Sequence, residues 1–344
     1  MPYTIDAKDL RLATRALSPV IPRRPLLPAI GNVHASPGGI NGVVLTATNL
    51  DYAISISLAG SGDREGLIER NVLKDSVKGE RGNVTITDDM VAPNGAYPMP
   101  AFDSATSCMV GVDALIRAHD HAISAVASDT TRPVLCHILL EFNDDALQVT
   151  AADGCVLSTT NIPAVCAKRQ PILVRGTAMT ALVKALRALK YDGDGVVDLA
   201  ISDSGMTARA GNIKFWCRLG DGTFPKYGNI FPTKSEGVIE LQPRPIVAWL
   251  RNLPKPADKN DLTKVQITAT GNSYQLTHDS GSLTGTGTIA GDWPAIWFDG
   301  DRLATALAPY GDQAVTLAAT NGVSPLVISS GDSRALVMPV MPKA

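Results

Sequence analysis

The residues of this sequence whose types could do chemistry are two neighbouring histidines and a cysteine next to a tight turn. His119 and His121 lie two positions apart in a segment with helical periodicity. Each helical residue turns by about 100°, so the two side chains diverge by about 200° and are poorly placed to share a metal ion. The pattern predicts a solvent-facing helix surface rather than a metal site. Cys155 follows an Asp-Gly turn with no histidine nearby in the sequence, which disfavours a catalytic thiolate.

Three glycine-containing segments invite a ligand-binding interpretation. The segments "YDGDG" from Tyr191 and "FDGDR" from Phe298 lack the later glutamate that completes an EF-hand, so they indicate turns and helix caps rather than calcium loops. In "LGDGTFPKYGNIFP", residues 219–232, no lysine and helix N-terminus follow the glycines as a phosphate loop requires. This last segment is therefore a surface turn or a joint between domains.

Basic residues recur at spacings of three and four within segments of helical pattern, and each trio would lie on one helical face. The three trios are Lys8, Arg11 and Arg15; Arg70, Lys74 and Lys78; and Lys184, Arg187 and Lys190. Such faces either point into solvent or present positive charge to phosphates. The trios alone leave both interpretations open.

Length and composition set the class of protein. The chain has 344 residues, of which 45% are hydrophobic and 19% charged, which predicts a globular protein of two or three domains. No apolar run reaches the 18 or more residues of a membrane-spanning helix, and the N-terminus has no signal-peptide pattern. We therefore expect a soluble cytoplasmic protein. The five cysteines show no CxxC spacing, so we expect reduced packing residues, with neither a disulfide framework nor a zinc site. The net charge of -2 does not reveal how charge is distributed.

An internal repeat organises the chain. Alternating segments with a Thr-Ala core begin at Val43, Leu147 and Val265, and aligning their threonines Thr46, Thr150 and Thr268 gives spacings of 104 and 118 residues. Each segment predicts a β-hairpin. A second hairpin pattern around Gly211 is repeated around Gly331, 120 residues later. Two recurrences at domain-sized offsets favour internal duplication.

Helical patterns lie between the strands, two in each repeat. They start at Asp6, Ile68, Val112, Thr177, Arg244 and Gly300. Asp6 is the expected N-cap of the first helix, with Leu10 and Leu17 on its apolar face. Each repeat is therefore predicted to be α+β, with helices on one face of an antiparallel sheet.

Four stretches carry a resemblance to the bacterial sliding clamp family, the β subunit of the DNA polymerase III holoenzyme. They are "RRPLLPAIGNV", "LQVTAADGCVLSTTNIP", "LGDGTFPKYGNIFP" and "ALVMPVMPKA". The resemblance implies three repeated clamp domains, each with two helices packed on antiparallel sheets, that form a ring as a head-to-tail dimer. The domains would span residues 1–107 (abbreviated), 108–232 and 233–344. Residues 219–232 would then join the second domain to the third, with Phe224, Pro225 and Tyr227 packing the joint.

By this resemblance the protein is a processivity factor that encircles duplex DNA and tethers the replicative polymerase and other replication or repair proteins. It would be an accessory subunit with no catalytic site, cofactor or metal of its own. Its helices would line the hole, where basic side chains contact phosphates without reading bases. The expected DNA-binding residues are Arg24, Lys8, Arg11, Arg15, Arg70, Lys74, Lys78, Arg132, Arg175, Lys184 and Arg187.

The resemblance also implies a cleft for short peptide motifs with Leu and Phe anchors, carried by the polymerase catalytic subunit, the clamp loader and other partners. Its expected residues are Leu135, Ala152, Gly154, Cys155, Val156, Leu157, Pro232, Val323, Met338, Pro339, Val340 and Met341. The alternative interpretation of "VMPVM" is an ordinary last core strand. Methionines in such a groove would suit several partner motifs.

Departures from the family pattern keep two other classes of function open. Cys155 and Val156 replace the usual His-Arg after the Asp-Gly turn, and "MVAPNGAYPMPAF" and "PKPADKND" stand where the subunit edges should be. Proline cannot donate to a strand ladder. A non-encircling relative that binds or sequesters clamp-binding proteins is the second hypothesis, and a hydrolase with an unrecognised site is the third.

Overall fold

The computed structural model of the protein describes residues 3–39, 41–93, 95, 97–102, 108–190, 195–203, 205–258 and 261–341. The α helices of these residues are α1 (Ala7–Leu17), α2 (Arg70–Ser76), α3 (Val112–Ile123), α4 (Gly176–Ala188), α5 (Pro243–Arg251) and α6 (Gly300–Leu307). All six segments predicted to be helical are therefore confirmed.

The strands fall into three groups along the chain. The first group is β1 (Tyr3–Asp6), β2 (Asn32–Pro37), β3 (Gly42–Thr48), β4 (Tyr52–Ser61), β5 (Gly66–Glu69), β6 (Asn83–Ile86) and β7 (Val91–Ala92). The second is β8 (Cys108–Gly111), β9 (His137–Asn143), β10 (Ala146–Ala152), β11 (Val156–Cys166), β12 (Ile172–Arg175), β13 (Val196–Ser202), β14 (Gly205–Ala210) and β15 (Ile213–Cys217). The third is β16 (Gly237–Leu241), β17 (Lys264–Thr270), β18 (Ser273–His278), β19 (Gly281–Thr286), β20 (Thr288–Gly291), β21 (Ile296–Asp299), β22 (Val315–Ala319), β23 (Leu326–Ser330) and β24 (Ser333–Val337).

Helix caps follow the sequence signals. The Asp6 side chain accepts hydrogen bonds from the backbone N–H groups of Lys8, at 2.8 Å, and Asp9, at 3.2 Å, which confirms the predicted N-cap of α1. Asp299 of the "FDGDR" segment caps α6 by accepting from the backbone of Asp301. Residues 191–194 of the other aspartate-rich segment lie outside the described residues.

One order of elements recurs along the described chain: a strand, a helix, then three strands. It is seen in β1–α1–β2–β3–β4, in β8–α3–β9–β10–β11, in β12–α4–β13–β14–β15, in β16–α5–β17–β18–β19 and in β21–α6–β22–β23–β24. A sixth module, β5–α2–β6–β7, has only the two-residue β7 after β6 among its described residues. Two such modules make up each predicted repeat, so the α+β repetition is confirmed.

The chain divides into two compact units. Unit 1 comprises residues 1–116, 142–147 and 163–220, and unit 2 comprises residues 117–141, 148–162 and 221–344. This division follows the packing of the chain, and the two boundaries between the three expected domains, after residues 107 and 232, stay a prediction.

Unit 1 contains a continuous run of antiparallel strands with helices packed together. The strand order is β7, β5, β2, β3, β4, β15, β14, β13 and β8. Strand β1 pairs with the end of β4 and with β6. Helix α1 packs against α4 and buries Leu10, Ala13 and Leu17, which is the apolar face expected from their spacing.

Unit 2 contains two antiparallel sheets. The larger has the order β20, β16, β22, β23, β24 and then residues 156–160 of β11. The smaller has the order β19, β18, β17, β21, so β19 is an edge strand there. Helices α5 and α6 pack against each other.

The last strand of a module pairs with an earlier module in the same way in both units. The hairpins β14–β15 and β23–β24 turn at Gly211 and Gly331, each with φ of 53°, a conformation that favours glycine. Strand β15 then pairs with β4, and β24 with β11. Backbone hydrogen bonds extend the two ladders beyond the strands at equivalent positions, from Ser57 to Asn212 and from Asn161 to Asp332, each at 3.0 Å. The predicted recurrence of these two hairpins is confirmed.

The threonine alignment is correct for two repeats and wrong for the third. Thr46 and Thr150 lie on β3 and β10, the second strand after a helix, whereas Thr268 lies on β17, the first strand after α5. The matching strand is β18, where "YQLTHDSG" places Thr277 as "LQVTAADG" places Thr150. Side chains alternate between the two faces in every strand of a module. A sequence alignment that is shifted by one whole strand therefore matches the same hydrophobic pattern.

Two of the five cysteines contradict the expectation of reduced thiols. Cys108 on β8 lies directly opposite Cys166 on β11, and the two form a disulfide. Antiparallel pairing brings opposite residues together whatever their sequence separation, which is 58 residues here. The absence of CxxC spacing was therefore not a reason to exclude a disulfide. Cys136, Cys155 and Cys217 are free, and burial raises the pKa of the Cys217 thiol to about 12.

The predicted solvent-facing surface at His119 and His121 is also wrong, because both side chains are buried. Ala118 and Ala122 are buried with them, so the second half of α3 is covered on most sides. The His121 ring meets Tyr310 edge-on with centroids 4.5 Å apart. In the described part of the chain, no group of three His, Cys, Asp or Glu side chains could hold a metal ion.

Among the described helices, none is long and apolar enough to cross a membrane.

The buried His121 predicts a loss of stability in mild acid. Burial lowers its pKa from 6.5 to about 4, so between these pH values the unfolded chain binds a proton that the folded chain does not. Stability that is full above pH 6.5 should fall by up to about 3 kcal/mol as the pH drops towards 4. His121→Phe should flatten this pH dependence in thermal denaturation followed by circular dichroism. Equal slopes in His121→Phe and the parent would contradict the assignment.

Candidate functional site

An apolar row crosses the large sheet of unit 2. Leu157 on β11 lies opposite Leu336 on β24, Leu336 lies opposite Val327 on β23, and Val327 lies opposite Ala318 on β22. Because directly opposed residues share one face of a sheet, these four side chains form a continuous strip, called here the apolar row. Leu157, Val327 and Leu336 are its buried part.

Two aromatic side chains of the segment Phe224–Pro232 pack against the apolar row. Tyr227 and Phe231 both pack against it, as does Ala152 from the end of β10. Phe224 is buried and meets Tyr227 edge-on, with ring centroids 6.2 Å apart. Pro225 is exposed, so it does not share in this packing as the sequence suggested. The aromatic residues of this segment therefore form a wall beside an apolar strip.

The Tyr227 hydroxyl fixes this wall. It donates a hydrogen bond to the Glu141 carboxylate and accepts from the Gln148 amide at 2.8 Å and the Thr150 hydroxyl at 3.2 Å. Burial, and then the hydrogen bond to Glu141, raise the pKa of Tyr227 to about 12. The phenol is therefore a neutral donor at physiological pH, held by three partners.

The chain after β24 runs beside the turn of the β10–β11 hairpin. The Met338 N–H donates to the Cys155 carbonyl at 2.8 Å, and the Val340 N–H donates to the Trp297 carbonyl at 2.8 Å. Met338 and Met341 are exposed, at 38% and 73%. These backbone bonds fix the terminal segment while leaving both methionines accessible, as a contact surface for a partner requires.

The β10–β11 turn is held by the Asp153 side chain, which accepts from the backbone of Cys155 and of Val156, each at 2.7 Å. Gly154 has φ of 95°, which favours glycine. The Arg132 guanidinium donates to the Asp153 carbonyl at 2.9 Å. Arg132, expected from the sequence to contact DNA, therefore lies on the turn that carries the expected peptide-cleft residues.

The expected cleft residues separate into those placed around the apolar row and those placed elsewhere. Leu157 and Ala152 lie in the row and its packing shell, and Cys155 lies beside Met338. Val156 is only 2% exposed and pairs with the equally buried Val337, so its side chain belongs to the opposite, inner face. Leu135 is buried in the short helical turn that precedes β9.

The remaining expected residues are more accessible. Val323 is 71% exposed in a loop whose turn is made by the Asn321 side chain. Pro232, Pro339 and Val340 are half-buried.

Four contributors were missed by the sequence analysis: Val327, Leu336, Phe231 and Arg334. Leu336 and Val327 alternate with core residues along their strands, so the period of two in β23 and β24 was an available signal. The Arg334 guanidinium lies over the Phe231 ring, 4.3 Å from its centroid. No local signal in the sequence pairs these two residues, since they are about a hundred positions apart.

The basic residues of unit 1 that the resemblance assigned to DNA binding are either half-buried or exposed. Arg11 donates to the Val77 carbonyl at 2.8 Å and the Glu80 carbonyl at 3.1 Å, and Arg70 donates to the Ser18 hydroxyl at 2.9 Å. These two arginines hold α1 and α2 to neighbouring chain. The exposed group is Lys8, Arg15, Arg24, Lys74, Lys78, Arg175, Lys184 and Arg187.

A cavity of about 610 Å³ lies beside the loop of Arg24. Arg23, Arg70 and Lys74 line it together with Glu69 and Asn71. Three cations against one carboxylate make this concave surface electropositive, which suits phosphate groups.

Known proteins resemble this chain over most of its length. Residues 110–226 match the family model of the DNA polymerase III beta subunit, central domain. The chain is 24% identical to a beta sliding clamp of Synechococcus elongatus over 352 residues, covering 93% of each chain. Its fold matches the crystal structure of the DNA polymerase sliding clamp from Bacillus subtilis with a TM-score of 0.84, at 18% identity and full coverage of both chains. It also matches a Pseudomonas aeruginosa sliding clamp bound to griselimycin with a TM-score of 0.83, at 18% identity, covering 99% of this chain and 100% of the other.

The Tyr227 network predicts a measurable stability difference. Tyr227→Phe leaves the Glu141 carboxylate without its donor, which should lower the free energy of unfolding by about 1–3 kcal/mol. Tyr274→Phe is the matched control, because Tyr274 is a buried residue whose hydroxyl has no hydrogen-bond partner among the described residues. Urea denaturation of both variants tests the difference. Equal stabilities would mean that the network does not hold the wall.

Proposed function

Because this chain is a divergent member of the DNA polymerase III beta subunit family, we propose that it is a DNA sliding clamp. It encircles duplex DNA and tethers the replicative polymerase and other proteins of replication and repair. The observation that carries the proposal is the pair of equivalent strand ladders, β15 on β4 and β24 on β11, which join successive repeats edge to edge. A ring needs such a joint at every boundary between domains.

The ring is proposed to close with a second copy. Strand β19 is the third strand of its module, as β4 and β11 are of theirs, and among the described residues it pairs only with β18. A free strand edge at this place is a template for a strand from another chain. The first repeat of a second copy would supply that strand, which gives a head-to-tail homodimer.

The DNA contacts are proposed to come from exposed cations of the helices and of the loop before β2. Arg24 lies in that loop, next to the electropositive cavity. Long cationic side chains bind phosphates without reading sequence, so the protein slides along the duplex. A net charge of -2 is compatible with this role when the positive residues are concentrated on the lining.

The apolar row, its aromatic wall and the terminal methionines are proposed to bind short peptide motifs with Leu and Phe anchors. Griselimycin bound to the Pseudomonas aeruginosa clamp supports the idea that clamps of this fold offer a small-ligand surface. The polymerase catalytic subunit and the clamp loader would be among the partners. We assign the protein no catalytic site or cofactor of its own and place it in the cytoplasm, where replication in bacteria occurs.

One observation favours the second candidate, a non-encircling relative that binds clamp partners. After β6 the described residues of the first repeat form a short helical turn and the two-residue β7, with no hairpin comparable to β14–β15 or β23–β24. Residues 94, 96 and 103–107 lie outside the described part of the chain. Ring closure would thus depend on a part of the first repeat in which β7 is the only described strand after β6.

Solution mass separates the two candidates. A ring of two chains predicts a particle of twice 36.2 kDa in multi-angle light scattering across a concentration series. A monomer at every concentration would contradict the encircling function and favour the second candidate. Retention on nicked circular DNA, with loss from the same DNA after linearisation, would then test encirclement directly.

Arg24→Ala should weaken binding to DNA and reduce the slope of log affinity against log salt by about 0.9, the value for one lost phosphate contact. Lys214→Ala is the control, because Lys214 is an exposed cation on strand β15 rather than on a helix or the Arg24 loop. Fluorescence anisotropy with a labelled duplex measures both. An unchanged salt slope in Arg24→Ala would remove Arg24 from the DNA contacts, and a loss of peptide binding as well would indicate misfolding.

A further inference from the structure

The ladder between β4 and β15 carries a half-buried tryptophan between two exposed cations, and we propose that it is a second peptide-binding face. Its ligand is an extended peptide with an aromatic residue between two acidic residues, in the order Asp-x-Phe-x-Asp. The face consists of Lys214 and Trp216 of β15, Arg218 directly after that strand, and Ala53 of β4, and is called here the Trp216 face. It lies in unit 1, apart from the apolar row of unit 2, and rests on the proposed function only for the extended mode of peptide binding.

The turn that leads into β4 is built like the turn that leads into β11. The Asn49 side chain accepts from the backbone N–H of Asp51 at 3.1 Å and of Tyr52 at 2.9 Å. The Asp153 side chain accepts in the same way from the second and third residues after it. Asp51 and Cys155 therefore hold equivalent places in the two turns.

The chain after β15 is also held like the chain after β24. The Arg218 N–H donates to the Asp51 carbonyl at 2.9 Å. Two residues later, the Gly220 N–H donates to the Leu173 carbonyl of β12 at 2.7 Å. The segment after β24 makes the two equivalent bonds, each at 2.8 Å. The backbone that supports the candidate peptide face of unit 2 is therefore present a second time in unit 1.

Different side chains stand on this second backbone. Ala53 on β4 lies opposite Trp216, and Trp216 lies opposite Thr207 on β14. The equivalent positions of the apolar row hold two leucines and a valine. The first ladder thus replaces an aliphatic strip by a tryptophan between a small residue and a hydroxyl, so its ligand differs from that of the apolar row.

The accessible part of the Trp216 indole is carbon. Its Nε1 is buried and has no hydrogen-bond partner among the described residues. A Cβ atom on Gly205 would lie 2.9 Å from that nitrogen, so the lack of a side chain at Gly205 leaves room for this edge of the ring. Tryptophan is enriched among the residues that contribute most to binding. The remaining ring surface suits an aromatic side chain of a ligand.

Lys214 and Arg218 flank Trp216 on the same face, because residues two apart on a strand share a face. Both are exposed, and neither side chain forms a hydrogen bond or an ion pair with another described residue. Exposed arginines elsewhere have carboxylate partners, as Arg64 has in Asp88 at 2.7 Å. The two charges beside Trp216 are therefore available to an acidic ligand.

Two carboxylates lie among these cations and affect them unequally. Asp51 stands opposite Arg218, whose N–H donates to its carbonyl. Lys214 lies opposite Arg209 on β14, and Asp198 on β13 lies opposite Arg209. A cation thus separates Lys214 from the nearest acid of its row, whereas Arg218 faces an acid directly. Lys214 should therefore contribute more to the binding of a carboxylate.

The spacing of the face defines the peptide. Residues two apart on a strand are separated by about 7 Å, so Lys214 and Arg218 are about 13 Å apart with Trp216 midway between them. The first, third and fifth residues of an extended peptide have the same spacing. Acidic residues at the first and fifth positions then meet the two cations, while an aromatic residue at the third packs on the indole.

The test uses three fluorescein-labelled peptides: Gly-Asp-Ser-Phe-Ser-Asp, the same peptide with Asn for both Asp residues, and the reordered Gly-Asp-Asp-Phe-Ser-Ser. Fluorescence anisotropy measures their binding to the full-length protein and to Lys214→Glu, Arg218→Glu, Trp216→Leu and Lys168→Glu. Trp216→Leu introduces the residue type that Leu336 supplies at the equivalent position. Lys168→Glu is the matched control, since Lys168 is an exposed cation of unit 1 outside the face.

The parent protein should bind the Asp peptide about five-fold more tightly than the Asn peptide or the reordered peptide. Lys214→Glu should weaken binding of the Asp peptide by at least about five-fold, Arg218→Glu by a smaller factor, and Lys168→Glu by less than about two-fold. Trp216→Leu should weaken binding of the Asp and Asn peptides by a similar factor, about five-fold, because it removes an apolar contact that both share.

Three results would overturn the proposal. The first is equal binding of the three peptides by the parent, or a loss in Lys214→Glu no larger than in Lys168→Glu. The second is displacement of the Asp peptide by a peptide with Leu and Phe anchors, or its loss in Leu157→Asp, which would assign it to the apolar row. The third is displacement by an eight-nucleotide oligo-dT whose own binding Lys214→Glu weakens, which would make the face a site for single-stranded nucleic acid.

The proposed clamp function is tested separately from this inference. Binding of the peptide with Leu and Phe anchors, and its sensitivity to Leu157→Asp, report on the apolar row whatever the Asp peptide does. Loss of the Asp peptide alone would therefore remove the Trp216 face and leave the proposed function standing.

Discussion

The constraint on which this fold depends is the pairing of each module's last strand with the third strand of an earlier module. A β-strand at the edge of a sheet has backbone N–H and C=O groups that need partners. In unit 1 that requirement is met when β15 adds to β4, and in unit 2 when β24 adds to β11. Each ladder is extended by an equivalent backbone hydrogen bond. Both units therefore satisfy the backbone groups of an edge strand in the same way.

The same pairing creates the candidate binding face. Leu157 and Leu336 come from distant parts of the chain and meet only because β24 adds to β11 in one register. A slip by one residue would turn Leu336 to the inner face and bring Val337 or Ala335 outward. Tyr227 and Phe231 of the segment Phe224–Pro232 pack against the same residues. One strand ladder therefore forms both the join between two modules and the candidate binding face.

Local signals predicted the local features. Periodicity and capping located all six helices and the Asp6 cap, because these depend on residues within a few positions of each other. The buried His121 and the Cys108–Cys166 pair depend on contacts between elements far apart in sequence. Thr268 was misassigned for a different reason, because every strand of a module has the same alternation. The resemblance implied Leu157, Ala152 and Met338 for the cleft, whereas Phe231 and Arg334 become neighbours only through the β11–β24 ladder. Their pairing has no signature in either segment alone.

That ladder also has a consequence during protein synthesis. Thr160 on β11 and its neighbour Ser333 on β24 are separated by 173 positions. At roughly 5–20 residues per second, a ribosome needs about 9–35 s to make the chain between them. For that interval the edge of β11 that β24 will occupy has no partner from its own chain. Newly made protein would then expose an aggregation-prone strand edge, and chaperone demand should end only when the C-terminal residues emerge.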